Sequence, residues 1–446
     1  MKAIITAALF AVSGYLSAQC FQKITAGEQH FIAISQDGTL WGWGENGQRQ
    51  IGDGTTTDRP MPVSISTDSW KYASAGATHT VAIKADGTLW AWGSDSHEKL
   101  GNGSGGNAAS PVQIGSANDW KEVAAGERGT LAIKANGTLW AWGTNDNGYL
   151  GNGANVNYVS NVPVQIGTDS DWNHISGNGR HCLALKTNGT LWGWGWNNNG
   201  QIGIGTIIDS NIPVQIGTVS DWRHVDAGTR LSFALKTNNT LWAWGNTTTG
   251  LGINSSIPQQ VGTDENWLNI AVKRYEASSF AMLTKTDGTL WAWGNDAYQQ
   301  LGNGNSNGDY SVPTQIGDET DWVDSFAGFQ QGGAVKQDGT FWAWGDTALV
   351  GDSGIPSVSA IQYACTPLKV ESNNIISVIL YPNPATARLN ISGVDVKAAA
   401  AYDIGGRQFP LIPQGNALDI SALAAGLYML RIETGSESFS ESFIKE

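Results

Sequence analysis

One phrase returns seven times in this chain and fixes what it can fold into. Leu40-Trp41-Gly42-Trp43-Gly44 reappears around Trp90, Trp140, Trp192, Trp242, Trp291 and Trp342, at spacings of 49, 50, 52, 50, 49 and 51 residues. A period of that size is what a four-stranded propeller blade needs. The expectation is an all-β chain whose residues 19–365 form a seven-bladed β-propeller.

The repeat from Asp119 to Gly167 can stand for all. Trp120 to Ala125 and Thr130 to Lys134 read as strands, and Thr138 to Trp142 follows directly after Asn136-Gly137. An Asn-Gly or Asp-Gly pair between two such runs signals a hairpin, because both residues tolerate the positive φ of a type I′ turn. Asp37-Gly38, Asp86-Gly87, Asn188-Gly189, Asp287-Gly288 and Asp338-Gly339 repeat it. A Gly/Asn-rich loop then leads to Val162-Pro163-Val164, whose proline suits an edge strand.

The tryptophans explain the packing. Along a strand alternate side chains share a face, so Trp140 and Trp142 point together, with the small Ala141 between them leaving room for a neighbouring blade's indoles. The pairs Trp41/Trp43, Trp90/Trp92, Trp140/Trp142, Trp192/Trp194, Trp242/Trp244, Trp291/Trp293 and Trp342/Trp344 are therefore assigned to the core as equivalent contacts. Trp70, Trp120, Trp172, Trp222, Trp267 and Trp322 open first strands, and of the 21 tryptophans Trp196 alone lies outside the pattern. Each buried aromatic removes roughly 150–250 Å² from water, which favours core over sugar-binding roles for the repeated indoles.

The balance of 25 basic against 39 acidic residues, net −14, argues against nucleic acid or anionic lipid as a partner. Residues 1–18 differ from the rest: Lys2 precedes the apolar stretch Ala3 to Leu16, and Ser17-Ala18 offers a cleavage site before Gln19. This resembles a secretory signal peptide, too short to span a bilayer comfortably. Gln19 before Cys20 disfavours lipidation. No other stretch approaches 18 apolar residues, so no transmembrane segment is expected.

Export permits disulfides. Cys182 falls within a second strand, where a buried thiol is expected. Cys20 occupies the slot before the first repeat's opening Phe21, and Cys365 follows the last fourth strand, so a Cys20–Cys365 bond closing the ring is the working hypothesis. In the chain-entropy model it would stabilise by about 4 kcal/mol or more.

Catalytic chemistry should mark one repeat and not its sisters. His30, His79 and His181 instead share one slot, which favours capping of the preceding turn over metal ligation. His174 and His224 share another. Asn145-Asp146-Asn147-Gly148 echoes part of a calcium loop but lacks its downstream glutamate. No nucleophile elbow, Walker loop or Cys-Cys metal spacing occurs, and neither an enzyme nor a cofactor is expected. Trp196, Tyr149, Tyr158, Tyr298 and Tyr310 fall in the long loops after the Trp pairs and are the candidate partner-binding residues, with covering their own loops as the alternative.

Ala75-Gly76-Ala77-Thr78-His79-Thr80-Val81-Ala82-Ile83, Asp86-Gly87-Thr88-Leu89-Trp90-Ala91-Trp92-Gly93 and Lys99-Leu100-Gly101-Asn102-Gly103 resemble the repeats of the regulator-of-chromosome-condensation family. The resemblance covers about residues 20 to 365 and implies a seven-bladed propeller. That family's eukaryotic founder is a nucleotide exchange factor for a small nuclear GTPase, and its secreted bacterial relatives include an inhibitor that clamps β-lactamases. The sixth repeat departs from the pattern, since Tyr275 to Leu283 lacks the Ala-Gly pair and the histidine, though its Trp291-Ala292-Trp293-Gly294 is intact.

After Cys365, the polar residues 366–374 read as a linker, and residues 375–446 as a small β-sandwich with strands at 375–380, 388–391, 400–403, 426–432 and 438–444. Tyr381-Pro382-Asn383-Pro384-Ala385, Tyr402 to Arg407, Asp419 to Leu423, Gly426-Leu427-Tyr428 and Ser442 to Lys445 resemble, in that order, the type IX secretion sorting domain of Bacteroidota. That resemblance implies handling by the type IX machinery, passage through the periplasm, and release or display at the outer surface. The reading is a monomeric, secreted or surface module that binds a protein or glycan through one propeller face. The alternative is an extracellular hydrolase or lyase with its site at the central channel. Carboxylates or histidines converging on that channel would favour the enzyme. Exchange activity is disfavoured, because a chain sent outside the cell would not meet the GTPase.

Overall fold

The computed structural model describes residues 21–446 except 156, 178–179, 247–250, 273–278, 305–307, 346–356, 364–378, 382–384, 393–395, 404–406 and 434–437. The signal segment, Ala18, Gln19, Cys20, Cys365 and the Pro382-Asn383-Pro384 part of the C-terminal motif lie outside the described residues. The chain divides into two compact units, 1–367 and 368–446.

In the first unit, seven four-stranded antiparallel sheets follow one another from Phe21 to Tyr363, each made of four consecutive strands. In the second blade these are Trp70–Ala75, His79–Lys84, Leu89–Gly93 and Ala108–Gln113, from the axis outward. First and third strands run the same way. The turns between first and second strands and the loops between third and fourth therefore share one face, here called upper; the Asp-Gly turns and the links between blades share the lower face.

The lower turns are longer than the two-residue type I′ hairpins expected. Ile83 pairs with Leu89, and Gly87 N–H donates to Lys84 O at 2.9 Å. Such loops place only their last residue in the left-handed region. Gly87 has φ +86°, and Asn239 takes the same slot at +62°. Asp86 instead accepts from Thr88, at 2.9 Å from its N–H and 2.7 Å from its hydroxyl, and Thr88 Oγ1 in turn accepts from Trp90 Nε1 at 2.9 Å. Lys84 Nζ lies 3.9 Å from the Trp90 ring centre and pairs with Asp68 at 2.6 Å. Lys134, Lys186, Lys236, Lys285 and Lys336 lie over their own blades' indoles in the same way. The core assignment is therefore corrected for the first indole of each pair. Trp41, Trp90, Trp140, Trp192, Trp242, Trp291 and Trp342 are half-buried rim groups.

The second indole is the core group. Trp142 is fully buried and donates Nε1–H to Lys99 O of the preceding blade at 2.9 Å. Its ring lies flat against Gly101, φ +73°, where a Cβ would come within 2.5 Å of Nε1. Trp92, Trp194, Trp244 and Trp344 meet Gln50 O, Tyr149 O, Gln201 O and Gln300 O in the same way. Room for the neighbour's indole is therefore made by the loop glycine. The small residue between the tryptophans serves its own blade, for a Cβ at Gly42 would meet Ile32, Ile51 and Ile65.

The expected equivalence of the seven pairs fails at Trp293 and is corrected there. Trp293 is buried like its sisters, but its Nε1 meets no acceptor among the described residues. A Cβ on Gly252, the matching loop glycine, would touch nothing within 4 Å, so Gly252 does not lie under the indole as Gly101 lies under Trp142. Trp293 packs instead by apolar contact alone, with the Phe233 ring of the preceding blade edge-on at 5.9 Å. The physical reason is local: the fifth blade carries Phe233 where the third carries Leu131, and its loop is shorter, with eight residues between Gly245 and Asn254 against fifteen between Gly143 and Val159. Trp43 departs likewise, its Nε1 without an acceptor among the described residues and its ring stacked on Phe31 at 5.3 Å.

The seventh blade meets the first through aromatic packing, with Phe21–Phe341, Trp43–Phe341 and Phe31–Phe326 ring centres 5.5, 5.3 and 5.6 Å apart. Cys182 is a buried free thiol donating to Tyr149 O at 3.4 Å, and burial pushes its pKa up.

The second unit pairs a three-stranded sheet, Ile379–Tyr381, Arg388–Ser392 and Ala417–Asp419, with a four-stranded one. The latter runs Gln408–Leu411, Ala398–Asp403, Gly426–Glu433, Ser438–Lys445. Leu389, Ile391, Leu418, Leu430, Ile432 and Phe443 form the core between them. Two strands were not foreseen: Ala417–Asp419 has three residues, and Gln408–Leu411 carries Pro410 on an edge. Of the expected strand at 375–380, residues 375–378 lie outside the described residues. Tyr428, after Gly426, is buried, stacks on Phe443 at 5.6 Å and donates its hydroxyl to Ala424 O at 3.1 Å, whereas Tyr381 is exposed.

Candidate functional site

The seven first strands surround the axis, at Phe21–Ala26, Trp70–Ala75, Trp120–Ala125, Trp172–Gly177, Trp222–Ala227, Trp267–Val272 and Trp322–Ala327. They open with Phe or Trp and end in small or apolar residues. The third position obeys no such rule: Lys23, Tyr72, Glu122, His174, His224, Asn269 and Asp324. All but Glu122 line a cavity of about 230 Å³ at the axis, and Glu122 backs it from behind His174.

These side chains also join each blade to the next. Lys23 Nζ lies 4.0 Å from the Tyr72 ring centre. Glu122 Oε1 accepts from His174 Nδ1 at 2.7 Å and from the Ile175 N–H at 3.3 Å. His174 Nε2 reaches Val225 O at 3.2 Å, and its ring stacks on His224 with centres 4.9 Å apart. Both nitrogens of His174 thus face acceptors, the arrangement of a doubly protonated imidazolium. Burial is the strongest single influence and opposes that charge, but the Glu122 carboxylate, with Val225 O and Asp226, together outweigh it and raise the His174 pKa above its ordinary value. His224 goes the other way: burial, with His174 and Arg223 nearby, lowers it to about 3. Asp324 Oδ1 accepts from Asn269 Nδ2 and from its neighbour's amide, Ser325 N–H, at 2.8 Å; burial raises the Asp324 pKa against those bonds and against Lys23. Asp226 is held by Ser176 Oγ at 2.8 Å and Val272 N–H at 2.9 Å. Among the described residues no three His, Cys, Asp or Glu side chains are grouped to hold a metal ion.

His30, His79 and His181 do not cap their own turns. Their Nε2 atoms meet Thr80, Thr130 and Ser232 of the next blade at 2.9, 3.0 and 2.8 Å. Each hydroxyl spends its one proton on a loop carbonyl, Gln50 O at 2.8 Å, Lys99 O at 2.9 Å or Gln201 O at 2.6 Å, so it accepts from the histidine. These are seam braces. Burial lowers the pKa of His30 and His181 to about 3, and that of His79 likewise falls well below its usual value.

All five candidate aromatics belong to the upper face, but not all reach solvent. Tyr149 is 1% exposed and is corrected to a core residue. The third blade has Gly129 where others carry His30 or His79, and the Tyr149 ring fills that space, within 2.7 Å of where a Gly129 Cβ would stand. Tyr310 is half-buried against the core cluster to which Trp344 belongs. Tyr158 and Tyr298 are exposed, at 37% and 41%. Trp196 is half-buried, with the Arg180 guanidinium 5.4 Å from its ring centre. Arg180 also lies 3.7 Å from Glu127, and Arg128 pairs with Asp146 at 2.8 Å. Aligning the repeats on their opening Phe or Trp puts Lys23, Tyr72, Glu122, His174, His224, Asn269 and Asp324 in one column, and its run of charged and polar side chains was the available signal.

The sequence profile described as "Regulator of chromosome condensation (RCC1) repeat" matches residues 37–83, 86–133, 136–185, 188–235 and 287–334. A second profile for the same repeat matches 21–50, 70–98, 120–148 and 172–201, and the "Secretion system C-terminal sorting domain" profile matches 379–446. No curated protein matches the sequence. Among solved structures, yeast RCC1 (Prp20) bound to Kap60 superposes with a TM-score of 0.63 at 17% identity, over 85% of this chain and 93% of that one. Human WBSCR16 does so with a TM-score of 0.60 at 21% identity, over 70% of this chain and 85% of that one. At these identities the likeness shows the fold. With more than half its length matched by the repeat profile, the chain belongs to the regulator of chromosome condensation (RCC1) repeat family, and it ends in a secretion system C-terminal sorting domain.

Proposed function

We propose that the propeller is an exported interaction module that grips an extracellular protein or glycan with its upper face. The C-terminal sorting domain implies export and contact with the type IX secretion machinery. The observation that carries the reading is Arg180 over Trp196, a half-exposed pair of the two residue types richest in binding hot spots, set on loops whose supporting strands repeat while they do not. Tyr158 and Tyr298 extend the same face. Capture of partners from culture medium, host extract and polysaccharide by the mature chain is the test. Trp196→Ala with Arg180→Ala should lose the captured partner while keeping native near-UV circular dichroism; unchanged capture would remove this face from consideration.

Residue type at the axis favours a second reading, an extracellular hydrolase or lyase, since Glu122, His174, His224, Asp226 and Asp324 cluster around the channel. The geometry supports it less. His174 has both nitrogens committed to acceptors and Asp226 accepts two bonds from the frame, so neither is poised as a base.

A further inference from the structure

We propose that the axial cavity is a binding site for a neutral polyhydroxylated small molecule of single-sugar size. The inference goes beyond the upper-face reading: it concerns a different place and a different scale of ligand. At about 230 Å³ the cavity is smaller than the roughly 300–1,000 Å³ of drug-sized pockets, which limits the occupant to something like one sugar ring.

Its chemistry is mixed in a way that suits hydroxyl groups. Glu122 and Asp324 each use one oxygen for two frame bonds, Oε1 to His174 and Ile175, Oδ1 to Asn269 and Ser325. Asp324 lines the cavity and has its second oxygen to accept from a ligand, while Glu122, behind His174, fixes the orientation of that lining imidazole. Asn269 gives one amide hydrogen to Asp324 and keeps the other, and Lys23 supplies an ammonium on the same wall. A hydroxyl both donates and accepts, so a polyol can meet carboxylates and amide donors around one ring.

The charges argue for neutrality. Glu122 is offset by His174, Asp324 lies in the field of Lys23, and Asp226 is satisfied by Ser176 and Val272. None of these is left uncompensated to select an ion. The lining is also as uneven as a ring-shaped ligand with one hydroxyl pattern requires: six blades contribute a lysine, a tyrosine, two carboxylates (Asp226 and Asp324), two imidazoles and an amide, and the third blade only Val123 and Ala124.

The test is calorimetric titration and saturation-transfer NMR of the mature full-length chain with glucose, galactose, mannose and N-acetylglucosamine, and with glucuronate and glucosamine as charged counterparts. At least one neutral sugar is expected to bind, roughly tenfold or more weakly in Asp324→Asn, as loss of a hydrogen bond to a charged group predicts, and severalfold more weakly in Glu122→Gln, which acts only through the His174 ring that it positions. Near-UV circular dichroism checks each fold. If a carboxylate variant unfolds, Tyr72→Phe, which deletes one lining hydroxyl, should still weaken binding severalfold. The proposal is overturned if no neutral sugar binds, if only the charged sugars do, or if folded variants bind like the parent. Capture by the upper face should be unchanged in all three variants, so that failure here leaves the first reading standing.

Discussion

Two sets of side chains cross from each blade to the next, and they follow opposite rules. At the upper seam the same atoms recur: an indole N–H meets a loop carbonyl at 2.8–3.0 Å over a left-handed glycine in the contacts made by Trp92, Trp142, Trp194, Trp244 and Trp344. Trp43 and Trp293 keep the ring buried with no such acceptor among the described residues. At the axis no two contacts are alike: a cation over a ring, an ion pair, stacked imidazoles, an amide on a carboxylate. A seam repeated around the ring spreads stability over many similar contacts. The axis is thereby free to differ in every blade, which a frame that depended on the axial contacts would not allow.

The largest effect separating the two should come from acid. His30, His79 and His181 at the seam, and His224 at the axis, are held neutral, with pKa values of about 3 for His30, His181 and His224. A base whose folded value lies below its unfolded value of 6.5 costs stability once the pH falls below 6.5, because only the unfolded chain takes up the proton. Each such ring removes about 1.4 kcal/mol per pH unit until its folded value is reached. Urea midpoints should therefore fall steeply from pH 6.5 to 4.5, and a flat profile would mean that the rings protonate within the fold. His174 has the opposite sign: its raised value contributes stability below pH 6.5 that is lost as the pH rises through its folded pKa.

Next in size is the seam indole. Trp142→Ala should cost about 3–5 kcal/mol by denaturant melting, whereas Trp140→Ala on the half-buried rim should cost clearly less. Equal losses would erase the distinction between the two indoles of a pair.

The frame was legible because periodicity is a property of sequence. The indole spacing gave the seven sheets and the glycine-bearing turns their places. What each indole touches was not legible. That Trp142 leans on Gly101 of the previous blade depends on how sheets pack, and the turn type depends on a loop length set by pairing register. Trp293 reads like its sisters in sequence, and only the placement of Gly252 away from it reveals the missing bond. Tyr149 failed as a surface residue because of another position in the chain, the missing side chain at Gly129. The axial set was half seen: His174 and His224 were matched in slot, but their convergence with Glu122 and Asp324 is a consequence of ring closure.

Thr88→Val removes the hydroxyl that links Asp86 to Trp90 and should cost about 1 kcal/mol, the usual worth of a hydrogen bond, with no change in the axial cavity. The loss should be similar at Thr138→Val, since the third blade repeats the contact through Asn136 and Trp140.

The sharpest test of the axis is Glu122→Gln. Glutamine keeps the shape and one acceptor but not the charge, so burial of His174 would no longer be outweighed and its pKa should fall, read from its imidazole C–H shifts against pH. The His30 and His181 resonances should stay where they are, because their partners are hydroxyls at other seams than the one Glu122 spans. If His174 titrates unchanged, then Val225 O and Asp226, which also favour its proton, hold the charge without Glu122. The axial contacts would then be as redundant as the seam, and their variety would no longer need a ligand to explain it.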